Sequence, residues 1–406
     1  MGRWRFLDKT NAAELAEYER VIRGIDAWWA EFRRRERDLV AQLSGHRDWD
    51  LPNWMQTHLG ALDPRIMWEF GPAVKVDGRR LVITPESARD LRPLVDELLA
   101  RAPSLPKWEF YPYRLAEDLE MAKLTVEART QGDLEGVRVC VSRAEHNLVD
   151  LVFQCPKAKE PDDEQAMSDV FVAAETLLGE RILDRWIDEI HVVPLPASRR
   201  ALSKWFGKEP SEGLAPSLEL SELRPEVERL IEEIRTALPR GPRHLFAGDE
   251  WTLLELEPDA AEDYAEQEDL IVAKARHLDV WQAAHATSLF FDERFSHLGE
   301  SFVFVKFERS EGFDLDQKSE MEDQLDALLL PAGLGCQIGG GTGTSYSYID
   351  LVLTDLERGL DAVCARLRQS NVPRRSWIQF FDADLKHEWV GVYPDSPPPP
   401  LSEPDD

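Results

Sequence analysis

The chain has 406 residues, a length that suits two domains, and 43% of them are hydrophobic, so a sizeable core can be buried. Its formal net charge of −29 at pH 7 disfavours binding to nucleic-acid phosphates and to anionic membranes, because both attract Lys/Arg patches. The same acidity favours solubility and permits a basic protein partner.

The cysteines and the apolar patterning indicate a cytoplasmic protein. No cysteine belongs to a C-x-x-C pair or lies at zinc-ligand spacing from a histidine, and the four are Cys140, Cys155, Cys336 and Cys364. The opening Met1–Phe6 lacks the apolar run of a signal peptide, and no stretch of about 18 apolar residues predicts a membrane-spanning helix. We therefore expect reduced thiols, no membrane segment and a cytoplasmic location.

In the first half of the chain, helices precede strands. Apolar residues at helical spacing predict a long helix over 11–43, capped by Asn11, and a second helix over 53–62. We expect these N-terminal helices, within residues 1–64, to pack on a first α+β sandwich at 65–205. Its predicted strands are 66–70, 81–84, 108–111, 137–141, 148–153 and 190–193, and its predicted helices are 85–102, 115–130 and 162–178.

A polar stretch rich in Gly and Pro at 206–217 separates the two halves. Together with a helix predicted at 224–238, it forms a linker and bridging helix over 206–240. The second sandwich is predicted at 241–394, with strands at 251–256, 302–307, 346–353, 377–381 and 388–393 and helices at 270–288, 317–329 and 355–368. The tail at 395–406 is rich in Pro and acidic residues and is expected to be disordered, because it cannot bury enough apolar surface.

Two segments of similar layout indicate the architecture. Leu81–Thr84 and Leu351–Thr354 each precede a helix, a proline and an aromatic strand, at Trp108–Tyr111 and at Trp377–Phe381. Each layout is a strand–helix–strand unit, in which a crossover makes the two strands parallel. Further strands and another helix surround each unit. We therefore predict the α+β class, with two ferredoxin-like sandwiches that have mainly antiparallel sheets and follow an N-terminal helical segment.

One glycine-rich run has the composition of a phosphate-binding loop, and it consists of Gly339, Gly340, Gly341, Thr342, Gly343 and Thr344. With Ser345 it resembles, in six of seven residues, the G-G-G-T-G-T-G loop of tubulin-like cell-division GTPases. The resemblance implies a phosphate cradled by backbone N–H groups and Thr hydroxyls. That family follows its loop with a helix, whereas Tyr346–Leu353 alternates like a strand. A flexible connection between strands is the interpretation we adopt, and a phosphate loop is its alternative.

The sequence contains none of the other familiar catalytic patterns. It has no Walker A lysine, no G-x-S-x-G elbow and no H-E-x-x-H motif. His277 and His285 are eight residues apart on one predicted helix, which is too far for a shared metal ion. We therefore expect no metal and no cofactor.

Three segments of the first half are distinctive in combination: a Trp-rich first helix, the strand pair Trp68–Pro72 and Leu81–Pro85, and the segment Ala102–Phe110. They resemble bacterial proteins of a family of unknown function, and this resemblance implies no activity. A second likeness is to regulator of ribonuclease E activity B-type proteins. It rests on acidity and the expected sandwich fold, so it is an analogy about fold alone.

These observations lead to three functional hypotheses. The first is a cytoplasmic, non-enzymatic interaction or regulatory protein with an acidic surface, an exposed sheet edge and a basic protein partner. The second is a nucleotide-binding enzyme that uses the loop at 339–345. The third is a pair of structural domains without a dedicated ligand.

Overall fold

A computed structural model describes residues 3–46, 48–195, 216–241, 251–310 and 315–400 of the chain. The protein belongs to the α+β class, with an N-terminal helix and sheets dominated by antiparallel pairs, as predicted. Its residues form two compact units. Unit 1 comprises Met1–Pro112, Arg240–Ala284 and Leu298–Asp406, and unit 2 comprises Tyr113–Pro239 and His285–His297. None of the helices in the described ranges combines the length and the apolar character that crossing a bilayer requires.

The N-terminal part of unit 1 is built on one long helix, α1 (Ala12–Leu43). It begins where predicted, because the Asn11 side chain accepts hydrogen bonds from two backbone N–H groups of the first turn. Helix α2 (Leu51–His58) and a three-stranded sheet follow. The sheet contains β1 (Met67–Pro72), β2 (Arg79–Thr84) and, after α3 (Arg92–Ala100), β3 (Trp108–Tyr111).

The predicted strand–helix–strand unit is present in this sheet, since β2 and β3 pair in parallel across α3. Helix α3 begins seven residues later than predicted, at Arg92 instead of Pro85, because a 3-10 turn at Arg89–Leu91 precedes it. The aromatic residues of α1 are core residues rather than surface ones: Trp28 and Phe32 are almost fully buried and contact Trp54 and Trp108.

Unit 2 is a four-stranded sheet covered by helices on one face. Its elements are α4 (Leu119–Thr130), β4 (Arg138–Arg143), β5 (Val149–Cys155), α5 (Glu164–Leu178), α6 (Glu180–Trp186), β6 (Ile187–Pro194), β7 (Leu218–Glu219) and α7 (Leu220–Ala237). The strand order is β6-β5-β4-β7, with β5 and β6 parallel and the other pairs antiparallel. Alternate residues of β5 (Val149, Leu151 and Phe153) pack under the helices in one apolar core.

The largest sheet belongs to unit 1 and has seven strands in the order β14-β13-β10-β12-β11-β9-β8. Its elements in chain order are β8 (Thr252–Glu255), β9 (Leu270–Ala275), α8 (Leu278–Ala284), β10 (Ser301–Glu308), α9 (Leu315–Ala332), β11 (Gly335–Gly343), β12 (Tyr346–Leu353), α10 (Leu356–Gln369), β13 (Ser376–Phe380) and β14 (Trp389–Gly391). All of its neighbouring strands are antiparallel.

The centre of this sheet has the ferredoxin-like arrangement that the sequence predicts for the second half. Strand β10, helix α9, the hairpin β11–β12, helix α10 and strand β13 follow in the order β-α-β-β-α-β. Strands β12 and β13 are both antiparallel to β10, which lies between them, so they are parallel to each other across α10. Strands β9 and β8 extend the sheet beyond β11, and β14 extends it beyond β13.

The two faces of the seven-stranded sheet differ in chemistry. Val303, Val305 and Phe307 of β10 lie under α9 and α10, on what we call the helical face. Phe304 and Lys306 alternate with them and lie on the opposite, aromatic face. The buried aromatic residues of that face include Tyr264, Tyr346, Tyr348, Trp377 and Trp389.

One predicted element of the second half is wrong. Residues 270–288 were expected to form a single helix, but Leu270–Ala275 forms strand β9 and only Leu278–Ala284 is helical. Apolar residues are spaced compatibly with either structure in this stretch, and pairing with β11 and β8 selects the strand.

The compact units group the chain differently from the predicted domains. The segment 65–112 belongs with the C-terminal sheet in unit 1, and the remaining strands of the predicted first sandwich belong to unit 2. Most of the predicted linker at 206–217 lies outside the described residues, while the bridging helix is α7. In the tail, residues 401–406 lie outside the described part, and the Pro397 carbonyl accepts a hydrogen bond from the Trp377 indole N–H.

Candidate functional site

The glycine-rich run is a strand and not a connection between strands. Residues Gly339 to Gly343 complete β11, which pairs with β12 on one side and with β9 on the other. Thr344 and Ser345 form the turn to β12, which spans the predicted residues Tyr346–Leu353. The interpretation as a flexible connection is therefore corrected. The phosphate-loop alternative lacks the geometry on which it depended, because the glycine backbone lies within a sheet and no helix follows it.

The glycines make room for a neighbouring segment. A Cβ atom at Gly341 would lie 2.6 Å from the carbonyl oxygen of Val272, and one at Gly343 would lie 2.2 Å from the Asp269 carboxylate. Side chains at these alternate positions would therefore displace the chain at 269–272. Tight approach of two backbones, rather than a left-handed conformation, explains the glycines at 341 and 343.

Asp269 holds the hairpin turn that follows the glycine strand. Its side chain is fully buried, and its Oδ2 accepts hydrogen bonds from the backbone N–H groups of Ser345 (2.6 Å) and Tyr346 (2.9 Å). Its Oδ1 accepts a hydrogen bond from the Tyr348 hydroxyl. Burial and this carboxylate raise the pKa of Tyr348 above its usual range.

A buried lysine lies beside this carboxylate on the aromatic face. The Lys306 Nζ donates to the backbone carbonyl of Tyr264 and lies 4.2 Å from the ring centroid of Tyr346. Burial lowers the pKa of Lys306 to about 8, against the opposing effect of Asp269 and nearby carboxylates. Such a lowered pKa would suit proton transfer, but the ammonium group is fully buried and bonded to Tyr264.

Two further residues near Asp269, Asp263 and Gln267, attach the chain at 263–269 to the sheet. Asp263 accepts hydrogen bonds from the Tyr346 hydroxyl (2.6 Å) and from Arg375 (2.9 Å). The Gln267 amide donates to Asp350 (2.6 Å), whose pKa burial raises to about 7. Residues 263–269 are thus attached to the aromatic face by Asp263, Tyr264, Gln267 and Asp269, and we call them the anchored segment.

The anchored segment is the end of a longer acidic stretch, residues 255–269. This acidic segment contains eight Asp or Glu residues and no Lys or Arg. Glu255, Glu257, Asp259 and Glu262 are exposed. Lys274 and Arg276, the basic residues in and after β9, are already paired with Glu322 and Asp326 of α9. Arg375 and Lys386 pair with Asp263 and Glu266, so the negative local charge is carried by the exposed carboxylates at 255–262.

The acidic segment continues directly from β8, an open edge of the seven-stranded sheet. Among the described residues, β8 pairs only with β9. The Leu256 N–H donates to the Ile271 carbonyl (2.8 Å), and backbone groups of an antiparallel strand alternate in direction. The N–H and C=O groups of Leu253 and Glu255 therefore point away from the sheet, where a further strand would bind.

Apolar side chains accompany this edge. Leu253 is 72% exposed, and Ile271 and Val272 of β9 are 40% and 44% exposed. Val272 lies opposite Glu255 in the β8–β9 register, so apolar and acidic side chains are adjacent there. We call β8, with these three apolar residues and the exposed carboxylates at 255–262, the acidic edge.

Sequence reasoning identified the glycine run but missed its partners. The sequence could have indicated Lys306 and Asp350 as special residues, because each is the one charged residue of a predicted strand, at 302–307 and 346–353. Asp269 could not be distinguished in this way, since it ends a stretch that contains seven other acidic residues. The predicted absence of a metal site stays a prediction, although within the described ranges no three His, Cys, Asp or Glu side chains are grouped as metal ligands.

Comparison with known proteins found no match among protein-family models, curated proteins or solved structures. The resemblances to a bacterial family of unknown function and to regulator of ribonuclease E activity B-type proteins therefore stay predictions.

Proposed function

We propose that the chain is a cytoplasmic, non-enzymatic interaction protein that binds a basic, extended segment of a partner protein at the acidic edge. The observation that carries this proposal is the outward orientation of the Leu253 and Glu255 backbone groups on an edge strand. An added strand would form up to four main-chain hydrogen bonds there, each contributing about 1 kcal/mol.

The side chains of the acidic edge define the partner's chemistry. Exposed Leu253 favours an apolar residue on the added strand, on the side of the sheet that Val272 shares. Glu255 is two residues from Leu253 and faces that same side, and with the other exposed carboxylates at 255–262 it favours Lys or Arg elsewhere along the added strand. The net charge of −29 disfavours nucleic acid and anionic membranes as competitors, because both are polyanions.

A second copy of the chain fits the acidic edge less well than a basic partner. Pairing β8 with another β8 would bring together two acidic segments of eight carboxylates each. Like charges on adjacent strands destabilise a sheet, so charge favours a heterologous partner over self-association at this edge.

The proposal is tested with a synthetic eight-residue peptide of alternating Lys and Val, labelled for fluorescence anisotropy. The wild-type chain is expected to bind it, and binding should weaken as the salt concentration rises from about 0.05 to about 0.5 M, because salt screens exposed charges. A peptide of alternating Glu and Val is the matched control and should not bind. Equal binding of the two peptides would contradict the proposed charge selectivity.

Two variants of one edge residue separate backbone pairing from side-chain contact. Leu253→Pro removes an outward N–H without removing a bond to β9 and should weaken peptide binding about tenfold. Leu253→Ala keeps that N–H and should have a smaller effect. Circular dichroism melting checks that both variants fold. If folded Leu253→Pro binds the Lys–Val peptide as tightly as the wild type does, strand addition at β8 is refuted.

A further inference from the structure

Three arginines converge on one carboxylate within unit 2. The Glu293 side chain lies in the 3-10 turn Asp292–Arg294 and contacts Arg181 (2.6 Å), Arg185 (3.3 Å) and Arg235 (3.3 Å). Arg181 and Arg185 are one turn apart on α6, and Arg235 belongs to the last turn of α7. We call these four side chains the arginine cluster.

Neighbouring aromatic groups fix two of the guanidinium groups in place. Arg185 donates a hydrogen bond to the Tyr113 hydroxyl (2.7 Å), and its guanidinium carbon lies 4.8 Å from the Phe291 ring centroid. The guanidinium carbon of Arg235 lies 5.0 Å from the ring centroid of Trp186. Stacking of this kind holds an arginine side chain in position before a ligand binds, so less conformational entropy is lost on binding.

The members of the arginine cluster differ in their exposure to solvent. Arg181 and Arg235 are 55% and 42% exposed, whereas Arg185 and Glu293 are 12% and 18% exposed. The guanidinium groups of Arg181 and Arg235 can therefore be reached by a solute.

We propose that the arginine cluster is a binding site for a phosphate group, with Glu293 as an internal anion that competes for the same guanidinium groups. A phosphomonoester carries about −1.5 to −2 charges near neutral pH, so it can pair with more than one guanidinium group. Guanidinium groups present paired N–H donors that suit the oxygens of phosphate. This site is independent of the acidic edge, because it consists of unit 2 residues and binds the opposite charge.

The test measures the binding of inorganic phosphate and of phenyl phosphate by isothermal titration calorimetry, at constant ionic strength and pH 7.5. Glu293→Gln removes the competing charge but keeps a hydrogen-bond acceptor, and it is expected to bind phosphate at least tenfold more tightly than the wild type. Adding Arg181→Gln to Glu293→Gln should weaken that binding at least tenfold. Tighter binding of phenyl phosphate would indicate a phosphomonoester ligand, and tighter binding of inorganic phosphate would indicate the free ion.

Arg229→Gln is the matched control, since Arg229 also lies on α7 but pairs with Glu226 and Glu233 instead of the cluster. Placed in the Glu293→Gln chain, it should leave phosphate binding unchanged. Two results would overturn the proposal: no binding to Glu293→Gln, or binding no tighter than that of the wild type. An equal loss from Arg229→Gln and Arg181→Gln would also overturn it, because general charge attraction would then explain the binding. Circular dichroism melting confirms that each variant is folded.

Discussion

Asp269 holds the hairpin turn between the glycine strand β11 and its neighbour β12. Its carboxylate accepts hydrogen bonds from two backbone N–H groups of the hairpin turn and from one tyrosine hydroxyl. Gly341 and Gly343 have no side chain, so the chain at 269–272 lies against β11. The glycines therefore have a packing role, and the composition that resembles a phosphate loop has this physical cause instead.

Gly341→Ala tests that packing role. The added Cβ atom would lie 2.6 Å from the Val272 carbonyl oxygen and 2.4 Å from the Leu270 side chain, so backbone and not only a flexible side chain must move. We expect the free energy of unfolding to fall by about 1–3 kcal/mol, as for overpacking in a core, measured by urea denaturation. Thr342→Val, at the next position of β11, should change stability by less than about 0.5 kcal/mol. Equal effects of the two changes would refute the packing role.

Asp350 makes stability depend on pH. Burial raises its pKa in the folded state from 3.8 to about 7. Between these values the folded state holds a proton that the unfolded state has lost, so this group's contribution to stability falls as pH rises towards about 7. Asp350→Asn keeps an acceptor for Gln267 and does not ionise. We therefore expect the stability of Asp350→Asn relative to the wild type to increase from pH 5 to pH 8.

The measurement is urea denaturation of both chains at the two pH values. Glu357→Gln, which changes an exposed carboxylate of α10, shows the effect of removing one negative charge from the chain. A stability difference between Asp350→Asn and the wild type that is the same at pH 5 and pH 8 would show that Asp350 does not titrate with a raised pKa.

At the scale of elements, local patterns predicted the helices and strands whose residues are periodic. Strand β12 has the predicted bounds, and α1 begins after the predicted cap, Asn11. Strand β9 was missed because the spacing of its apolar residues is compatible with either a helix or a strand. Pairing with β11, which the local sequence does not show, selects the strand. Strand β11 was missed because glycine has a low intrinsic preference for strands, and non-local pairing on both sides overrides it.

The candidate sites were less predictable than the helices and strands, because each site depends on contacts between residues that are distant in the sequence. The acidic edge requires β8 to be the last strand of the sheet, which depends on the position of β9. The arginine cluster combines α6, α7 and a turn near residue 293, and no local spacing connects these three segments. Sequence patterns identify charged residues in apolar strands, such as Lys306, but not the backbone carbonyl that Lys306 contacts.

At the scale of the whole molecule, charged side chains are distributed unevenly: carboxylates are concentrated in the acidic segment of unit 1, and three arginines meet at Glu293 in unit 2. We propose that the acidic edge of unit 1 binds a basic polypeptide and that the arginine cluster of unit 2 binds a phosphate group. Because the two proposed sites lie in different compact units and would bind opposite charges, each proposal can be tested without the other.

The most direct test of strand addition at the acidic edge is residue-resolved hydrogen–deuterium exchange over the whole chain, with and without the Lys–Val peptide. In the free protein, the Leu253 and Glu255 amides should exchange fast and the Leu256 amide slowly, because of these three amides Leu256 alone donates to β9. With the peptide bound, we predict that Leu253 and Glu255 become protected while exchange in unit 2 stays unchanged. Bound peptide that leaves both amides unprotected, or that protects unit 2 instead, would contradict the account.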